Sequence, residues 1–281
     1  MGFKGTYRKR KVELSRVTPG EAQSAQVGTF EEDIRVLTSL KHPNVLACHG
    51  CYTDRDRGVP PCRVVELAER GTLQDLLARG FLPHRHGGLF LWLALDLARA
   101  LQYLHGLNKL HRDVKAESVL VTRDWHAKLT GFSFLRVQGE GAVQTQVGTP
   151  YWTAPEIFAQ KPYDCKVDVY SYAMTLVEML LGEVPWSREL AAAPELTMVK
   201  LAFKVANDSC RPAIPEGVPP LVRTLIISCR ARFHNAIARG FRATPCVSKN
   251  HVLRVFDSKT RVLQQAGPCI FKRFPSVYKN I

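Results

Sequence analysis

The sequence has no uninterrupted apolar stretch of the length needed to cross a membrane. The segment nearest to that length, residues 89–104, carries Asp96 and Arg99, which is typical of a buried helix in a soluble domain. No apolar run follows the basic N-terminal residues, so a secretory signal pattern is missing. The eight cysteines form no disulfide framework, and Cys48 and Cys51 have no second pair at metal-binding spacing. These absences predict a reducing, cytoplasmic setting.

Acidic residues are scarce at both ends of the chain, although the middle is nearly neutral. Residues 1–17 carry a net charge of +5 with Glu13 as the one acid, and residues 230–281 carry +10 with Asp257 as the one acid. The rest contributes −1 to the total of +14. Such ends could contact acidic lipid, nucleic acid or an acidic partner. Because no nucleic-acid-binding motif accompanies them, solvated tails are the preferred interpretation and nucleic-acid binding is disfavoured.

The first 68 residues contain short β-type runs around a single helical pattern. Ile34, Leu37 and Leu40 recur at three-residue spacing, which predicts a helix over residues 30–40, and Pro43 follows its end. Strands are predicted at residues 11–17, 45–52 and 62–67.

From residue 69 onward helical patterns dominate. Thr72 is expected to cap a helix at residues 73–79. Longer helices are predicted at 89–105, 168–181 and 221–229, short strands at 119–122 and 127–130, and an irregular stretch at 132–153. A strand-rich unit followed by a helical one predicts an α+β, two-lobed fold. Its predicted divisions are residues 1–68, residues 69–229, and a basic C-terminal segment at 230–281 of unassigned structure.

Four motifs occur in a fixed order between residues 66 and 172. They read Glu-Leu-Ala-Glu-Arg-Gly-Thr-Leu at 66–73, His-Arg-Asp-Val-Lys at 111–115, Gly-Thr-Pro-Tyr-Trp-Thr-Ala-Pro-Glu at 148–156 and Asp-Val-Tyr-Ser-Tyr at 168–172. In this order and spacing they resemble the hinge, catalytic loop, activation-segment end and central helix of a protein kinase. The resemblance covers residues 30–229 and is to Ser/Thr kinases of the tyrosine-kinase-like type. It implies the two-lobed kinase fold, here with a truncated N-lobe.

The resemblance assigns roles to three residues of the catalytic loop and the activation segment. Asp113 would orient the substrate hydroxyl and accept its proton. Lys115 would lie beside the transferring phosphate as a compact positive charge. Thr149 would hydrogen-bond toward this pair, and Lys115 with Thr149 is typical of kinases that modify Ser and Thr.

A second group would form the adenine pocket of a family that uses ATP and Mg²⁺. The resemblance implies that Val65 is the gatekeeper, that Glu66 and Ala68 offer hinge backbone groups, and that Leu120 is the floor. Further matches are structural. Asp168 would accept backbone N–H groups of the catalytic loop, and Glu156 would need an arginine, with Arg239 or Arg242 as candidates. An apolar column joining the lobes would comprise His111, Phe132, Leu37 and Cys48.

The sequence departs from the family pattern at both positions that hold metal. Ser118 stands where kinases have an asparagine, and its neutral hydroxyl could ligate only weakly. Gly131 stands where they have the aspartate of Asp-Phe-Gly, a register that the retained Phe132 supports. Since Mg²⁺ prefers carboxylate oxygen together with phosphate and water, we expect weak ATP binding at most and little support for Mg²⁺.

The N-lobe departs as well. Asp33 takes the place of the helix glutamate, and the strand lysine that should pair with it aligns with Ser15. In that register Glu13 covers the adenine, where a carboxylate would repel phosphates. Arg16 or Lys11 could substitute for the lysine. The glycine-rich loop is predicted to survive only as a remnant over residues 2–8.

Together these features predict a pseudokinase that acts as a signalling scaffold or switch through its surfaces and the 132–153 stretch, where Thr145 and Thr149 could be phosphorylated. The first alternative is an active Ser/Thr kinase that transfers the ATP γ-phosphate with Asp113 as catalytic base. The second is a membrane or nucleic-acid adaptor that acts through the basic ends.

The N-terminus also fits a loose myristoylation pattern. Residues 1–6 read Met-Gly-Phe-Lys-Gly-Thr, and four basic residues follow at 8–11. An acyl chain with a basic patch would hold the protein on an anionic membrane. Because the pattern is permissive, we prefer to interpret these residues as the glycine-loop remnant and the strand after it.

Overall fold

The computed structural model describes residues 3–16, 30–54, 59–85, 88–137 and 148–231. A small antiparallel sheet with one helix comes first, and a larger helical part follows. This arrangement confirms the predicted α+β, two-lobed kinase-like fold. Among the sequence predictions, those for Gly2, Thr145, Arg239, Arg242 and nearly all of the basic C-terminal segment fall outside the described residues.

The N-terminal sheet has the strand order β1-β2-β4-β3, with every neighbouring pair antiparallel. Its strands are β1 (Phe3–Tyr7), β2 (Arg10–Arg16), β3 (Cys48–Asp54) and β4 (Val59–Glu66). The three predicted strands therefore exist, with boundaries that differ by a few residues.

The predicted glycine-loop remnant lies on strand β1 over most of its length. Residues Phe3–Tyr7 form a strand, in which Phe3 lies opposite Leu14. Arg8 and Lys9 follow as a tight turn with φ angles of 49° and 66°. An extended segment that finds a hydrogen-bonding neighbour becomes a sheet edge whatever its glycine content, because the ladder satisfies its backbone groups.

The helix of this lobe, α1, spans Phe30–Ser39 and agrees with its prediction. Acidic residues fill its first turn, where they complement the helix dipole. Ile34 and Leu37 are buried against the sheet and belong to the same apolar cluster as Cys48 and Val65. Pro43 lies just beyond the end of the helix, as its inability to continue helical hydrogen bonding requires.

The C-terminal part is built from helices around two short strand pairs. The helices are α2 (Leu73–Ala78), α3 (Leu89–Gly106), α4 (Pro155–Phe158), α5 (Lys166–Leu181), α6 (Ser187–Ala192), α7 (Met198–Asn207) and α8 (Pro220–Cys229). The strand pairs are β5 (Lys109–Leu110) with β8 (Arg136–Val137), and β6 (Val119–Val121) with β7 (Ala127–Leu129). Within these ranges no helix combines the length and apolar content needed to span a membrane.

Helix α5 forms the centre of this part. Almost every one of its side chains is buried, because the helix is apolar on all sides and packs against α3 and α8. Two carboxylates, Asp168 and Glu178, are buried within it. Thr72 caps α2 as predicted, since its side chain accepts the backbone N–H of Asp75.

A short segment after α1 joins the two lobes. The Leu129 N–H donates to the Asn44 carbonyl at 2.8 Å, and the Leu46 N–H donates to the Leu129 carbonyl at 2.9 Å. The buried Asn44 side chain also donates to the Ala127 carbonyl at 3.1 Å. These bonds fix β7 beneath the sheet, and the hinge at the end of β4 lies beside them.

Candidate active site

The structure brings together the three residues predicted to be catalytic. The Thr149 hydroxyl donates to Asp113 Oδ1 at 2.8 Å, and the Thr149 backbone N–H donates to the same oxygen at 3.1 Å. Lys115 Nζ donates to Thr149 Oγ1 at 2.8 Å and lies 3.3 Å from Asp113 Oδ2. A carboxylate, an ammonium and a hydroxyl thus form one connected group.

The ammonium of Lys115 has a further partner in the exposed carboxylate of Glu117, 2.8 Å away. Partial burial works to lower the pKa of Lys115, but the hydrogen bond with Glu117 and the charges of Asp113 and Glu117 outweigh it and raise the pKa. Lys115 is therefore charged at neutral pH and neutralises the carboxylates around it.

Asp168 holds the catalytic loop from below. Its carboxylate accepts the backbone N–H groups of His111 at 2.9 Å and Arg112 at 2.7 Å. The His105 ring nitrogen Nε2 lies 2.8 Å from the same carboxylate, a partner that the sequence did not reveal. Burial alone would raise the pKa of Asp168, but the hydrogen bond and charge of His105 and the contribution of His111 together lower it.

A second buried carboxylate, Glu178, joins the catalytic loop to the activation segment. The Ala116 backbone N–H donates to Oε2 at 3.0 Å, and the Trp152 indole N–H donates to the same oxygen at 2.9 Å. Burial raises the pKa of Glu178 to about 7, against the opposing effect of these two bonds and of Lys115. Sequence reasoning missed this residue, although a glutamate inside an apolar helical pattern was a usable signal.

The predicted column residues lie at the junction of the lobes. The rings of His111 and Phe132 meet edge to face at 5.3 Å, and His111 Nε2 lies 2.7 Å from the Thr130 carbonyl. Leu37 and Cys48 are buried in the apolar cluster against which Phe132 packs. Both arginine candidates for Glu156 fall outside the described residues.

The four residues predicted around adenine line the hinge and the strand pair below it. Val65 and Ala68 are buried, and Leu120 lies on β6 directly opposite Lys128 on β7. The Glu66 carboxylate is bound by Lys128 Nζ, at 2.7 Å to Oε1 and 2.8 Å to Oε2. This ion pair between hinge and β7 was not predicted, because it joins residues 62 positions apart.

Strand β2 carries the two positions that the resemblance aligns with the adenine-covering residue and the lysine. Glu13 lies opposite Val65 and Ser15 lies opposite Arg63 on β4. Since directly opposite residues project from the same face of a sheet, Ser15 shares a face with the gatekeeper position. Lys11 and Arg16 were the two candidates to substitute for the missing strand lysine. Lys11 is exposed, and the Arg16 side chain falls outside the described part.

The two positions that hold metal in kinases do not fit Mg²⁺ in this chain. The Ser118 hydroxyl donates to the Asp113 carbonyl at 2.8 Å. Gly131 has a φ of 78°, and a Cβ atom added there would lie 2.9 Å from Ser118 Oγ. The two positions therefore face each other closely, and a side chain at 131 would require the Ser118 hydroxyl to shift. Within the described ranges, no three His, Cys, Asp or Glu side chains converge as a metal-binding group.

Residues 8–233 match the family model described as protein kinase domain. The chain is 34% identical over 233 residues to serine/threonine-protein kinase STY17 of Arabidopsis thaliana, covering 81% of this chain and 38% of the relative. It is 31% identical over 232 residues to STY46 of the same plant, covering 80% and 37%.

A third relative comes from Dictyostelium discoideum. The probable serine/threonine-protein kinase DDB_G0272254 is 29% identical over 234 residues, covering 81% of this chain and 17% of the relative. The chain therefore spans less than two fifths of the length of these relatives.

Proposed function

Because the chain belongs to the protein kinase domain family and is similar to its Ser/Thr members, we propose that it is a pseudokinase that acts as a signalling scaffold or switch with weak or no phosphoryl transfer. Its partners are other proteins, its setting is cytoplasmic, and nucleotide is at most a weak ligand.

The observation that carries this proposal is the close approach of Gly131 and Ser118. Phosphoryl transfer depends on positioning and on neutralising the charge of the transferred group, and the metal ions do most of the neutralising. Here one ligand position has no side chain, and the hydroxyl at the other is 2.9 Å from where a Cβ atom would stand. Without a carboxylate at either position, nothing anchors a cation beside the β- and γ-phosphates.

The remaining residues have definable tasks. Val65, Glu66, Ala68 and Leu120 would enclose a purine, and Asp113 would orient a hydroxyl. The role of Lys115 is to balance the charge of Asp113, which its ammonium contacts directly and through the Thr149 hydroxyl. Losing one charged contact to a transferring phosphate costs about 10²–10³ in rate, so the combined loss of the strand lysine and the metal aspartate removes efficient turnover.

The runner-up function is active Ser/Thr phosphorylation with Asp113 as catalytic base. It is favoured by the short contacts among Asp113, Lys115 and Thr149, which supply the substrate side of such a reaction. It would require a way to hold Mg²⁺ that does not use residue 131.

Thr145 and Thr149 are proposed acceptors for another kinase. A phosphate on Thr149 would break its contacts with Asp113 and Lys115, which would release the activation segment from the catalytic loop. The basic N-terminal segment is kept as a proposed contact with anionic membrane.

A thermal-shift titration with ATP, in EDTA and in excess Mg²⁺, tests the proposal. A ligand that binds the folded state raises the melting temperature by an amount that grows with the ratio of its concentration to its Kd. We expect a small shift that is the same under both conditions. A larger shift in Mg²⁺ would overturn the proposal. Leu120→Trp, which fills the floor of the pocket, is the control: it removes a shift that arises in the cleft and leaves one that arises at the basic ends.

A further inference from the structure

The hinge is tied to the C-terminal part by an ion pair. Glu66 is the last residue of β4, and Lys128 is the central residue of β7. Lys128 Nζ lies 2.7 Å from Oε1 and 2.8 Å from Oε2 of Glu66, so the ammonium contacts both carboxylate oxygens. The Lys128 side chain is 13% exposed and that of Glu66 is 29% exposed. Because the pair is largely shielded from water, its attraction is screened less than that of a surface pair.

The Glu66 carboxylate is also bound from the N-terminal side. The Ala47 backbone N–H donates to Oε2 at 3.3 Å, and the Glu66 N–H donates to the Ala47 carbonyl at 2.9 Å. These two bonds fix the carboxylate relative to the N-terminal sheet. A contact made by this carboxylate therefore positions the sheet as well as the side chain.

Strand β7 holds the N-terminal lobe at a second point. The Ala127 carbonyl accepts from the Asn44 side chain, and both backbone groups of Leu129 bond to the 44–46 segment. Lys128 lies between these two residues. One short strand thus contacts the segment after α1 through its backbone and the hinge through its central side chain. A single attachment can act as a pivot, whereas two attachments restrict rotation of one lobe against the other.

We propose that the Glu66–Lys128 pair is a latch that holds the two lobes at a fixed angle independently of any ligand. Lys128 lies directly opposite Leu120, the predicted floor of the adenine pocket, so the two side chains leave the same face of the strand pair. An adenine between the hinge and Leu120 would link the same two elements. Here the chain links them with its own charges. The inference rests on these contacts and holds whether or not phosphoryl transfer has been lost.

Hydrogen exchange of single amides tests the latch, because the exchange rate of a hydrogen-bonded amide reports local opening. The reporters are the hinge amides of Glu66, Leu67 and Arg70, each of which donates to a backbone carbonyl outside the hinge. Lys128→Met keeps the length of the side chain and removes its charge. We expect it to speed exchange at these amides about tenfold, between the effects of breaking an exposed and a fully buried ion pair.

Amides away from the pair separate release of the latch from general loosening. The Leu129 amide is next to the substituted residue and donates to the Asn44 carbonyl at the other attachment, so its rate should stay close to that of the wild type. The amides of the central helix α5, residues 166–181, should also keep their rates. Lys161→Met removes an exposed lysine and should change none of these rates.

Variants of the partner test whether the effect belongs to the pair. Glu66→Gln removes the other charge, and its amide oxygen can still accept from Ala47. We expect it to act as Lys128→Met does, and the double variant to exchange no faster than either single variant, since all three lack the same contact. Lys128→Arg keeps the charge and should retain most of the protection. Glu66→Lys places two ammonium groups together and should exchange faster still, and adding Lys128→Glu should restore protection.

The latch would be refuted by wild-type hinge rates in Lys128→Met, by an equal acceleration of the Leu129 or α5 amides, or by a double variant in which the two single effects add. If Lys128→Met does not fold, Glu66→Gln and the reversed pair decide the question by the same criteria. The metal dependence of the ATP shift tests the loss of catalysis and predicts nothing about these rates, so the two proposals can fail separately.

Discussion

The two sides of the cleft differ in how fully their polar groups are engaged within the protein. On the side that would receive a protein substrate, Asp113, Lys115 and Thr149 bind one another, and Asp168 and Glu178 bind the backbone beneath them. On the side that would receive phosphates and metal, the chain has Ser15, Gly131 and Ser118 in place of the family's lysine, aspartate and asparagine.

The difference has a physical reason. The contacts of Asp168 and Glu178 hold the catalytic loop in place, so they contribute to stability as well as to any chemistry. A metal-binding aspartate or a phosphate-binding lysine serves mainly the ligand, and the fold survives its loss. An intact catalytic loop is therefore a sign of a stable C-lobe and only weakly a sign of an enzyme.

The largest expected effect is at Asp168, on the side of the cleft that would receive a protein substrate. Asp168→Asn keeps the size but removes one of the oxygens that accept the His111 and Arg112 N–H groups, and it turns an amide donor toward these donors. We expect the free energy of unfolding to fall by about 3 kcal/mol, as it does when a buried charged contact is broken. Urea denaturation measures it, with the exposed Asp124→Asn as control. If Asp168→Asn and Asp124→Asn lower the free energy of unfolding equally, the contacts of Asp168 do not stabilise the substrate side of the cleft and the comparison fails.

The second effect depends on pH and concerns Glu178. Burial raises its pKa from an ordinary value of 4.5 to about 7. Between these values the folded chain holds a proton that the unfolded chain has released, so the free energy of unfolding should fall as pH rises from 4.5 to 7. The expected loss is on the order of 2 kcal/mol.

Glu178→Gln sharpens this prediction because its amide oxygen can still accept from Ala116 and Trp152. We expect the variant to lack that loss of stability and to exceed the wild type at pH 8 in urea denaturation. The exposed Glu216→Gln should follow the wild-type curve. A Glu178→Gln curve that falls like the wild type would show that another group titrates.

The smallest expected effect is the difference in stability between Gly131→Ala and Gly80→Ala, on the side of the cleft that would receive phosphates and metal. Gly131 and Gly80 share a φ of 78°, but a Cβ atom at Gly80 meets nothing within 4 Å, whereas at Gly131 it meets Ser118 Oγ at 2.9 Å. Both Gly→Ala variants incur backbone strain of about 1–2 kcal/mol. We expect Gly131→Ala to cost about 1 kcal/mol more, from overpacking.

Ser118→Gly supplies the check on that excess. Combined with Gly131→Ala it should bring the loss of stability, measured in urea, back to that of Gly80→Ala. If Gly131→Ala and Gly80→Ala are equally destabilised, position 131 has room for a side chain and could accept a metal ligand.

Periodicity and capping predicted most of the helices and strands. The helices Phe30–Ser39 and Leu89–Gly106 match their predictions to within a residue at each end, because the side chains that pack are also the ones that set the pattern. The strand Phe3–Tyr7 was missed since its glycine suggested a loop, and α7, with Val199 and Phe203 exposed, was not predicted from its sequence.

The candidate site was predictable where motifs carry it and unpredictable where the fold does. Asp113, Lys115 and Thr149 come from motifs, and the structure places them in contact. His105 beside Asp168, Lys128 beside Glu66 and the role of Glu178 depend on which elements pack together, and no local pattern encodes that. The register that pairs Ser15 with Arg63 required the observed sheet.

The central claim, that a triphosphate finds no held cation beside residue 131, is tested most directly by phosphate transfer from radiolabelled ATP in Mg²⁺ to a Ser/Thr peptide library, comparing the wild-type protein with Asp113→Asn. We predict incorporation no higher than in the variant. Metal-dependent turnover in the range of working kinases, about 1–100 s⁻¹, that disappears in Asp113→Asn would contradict the claim.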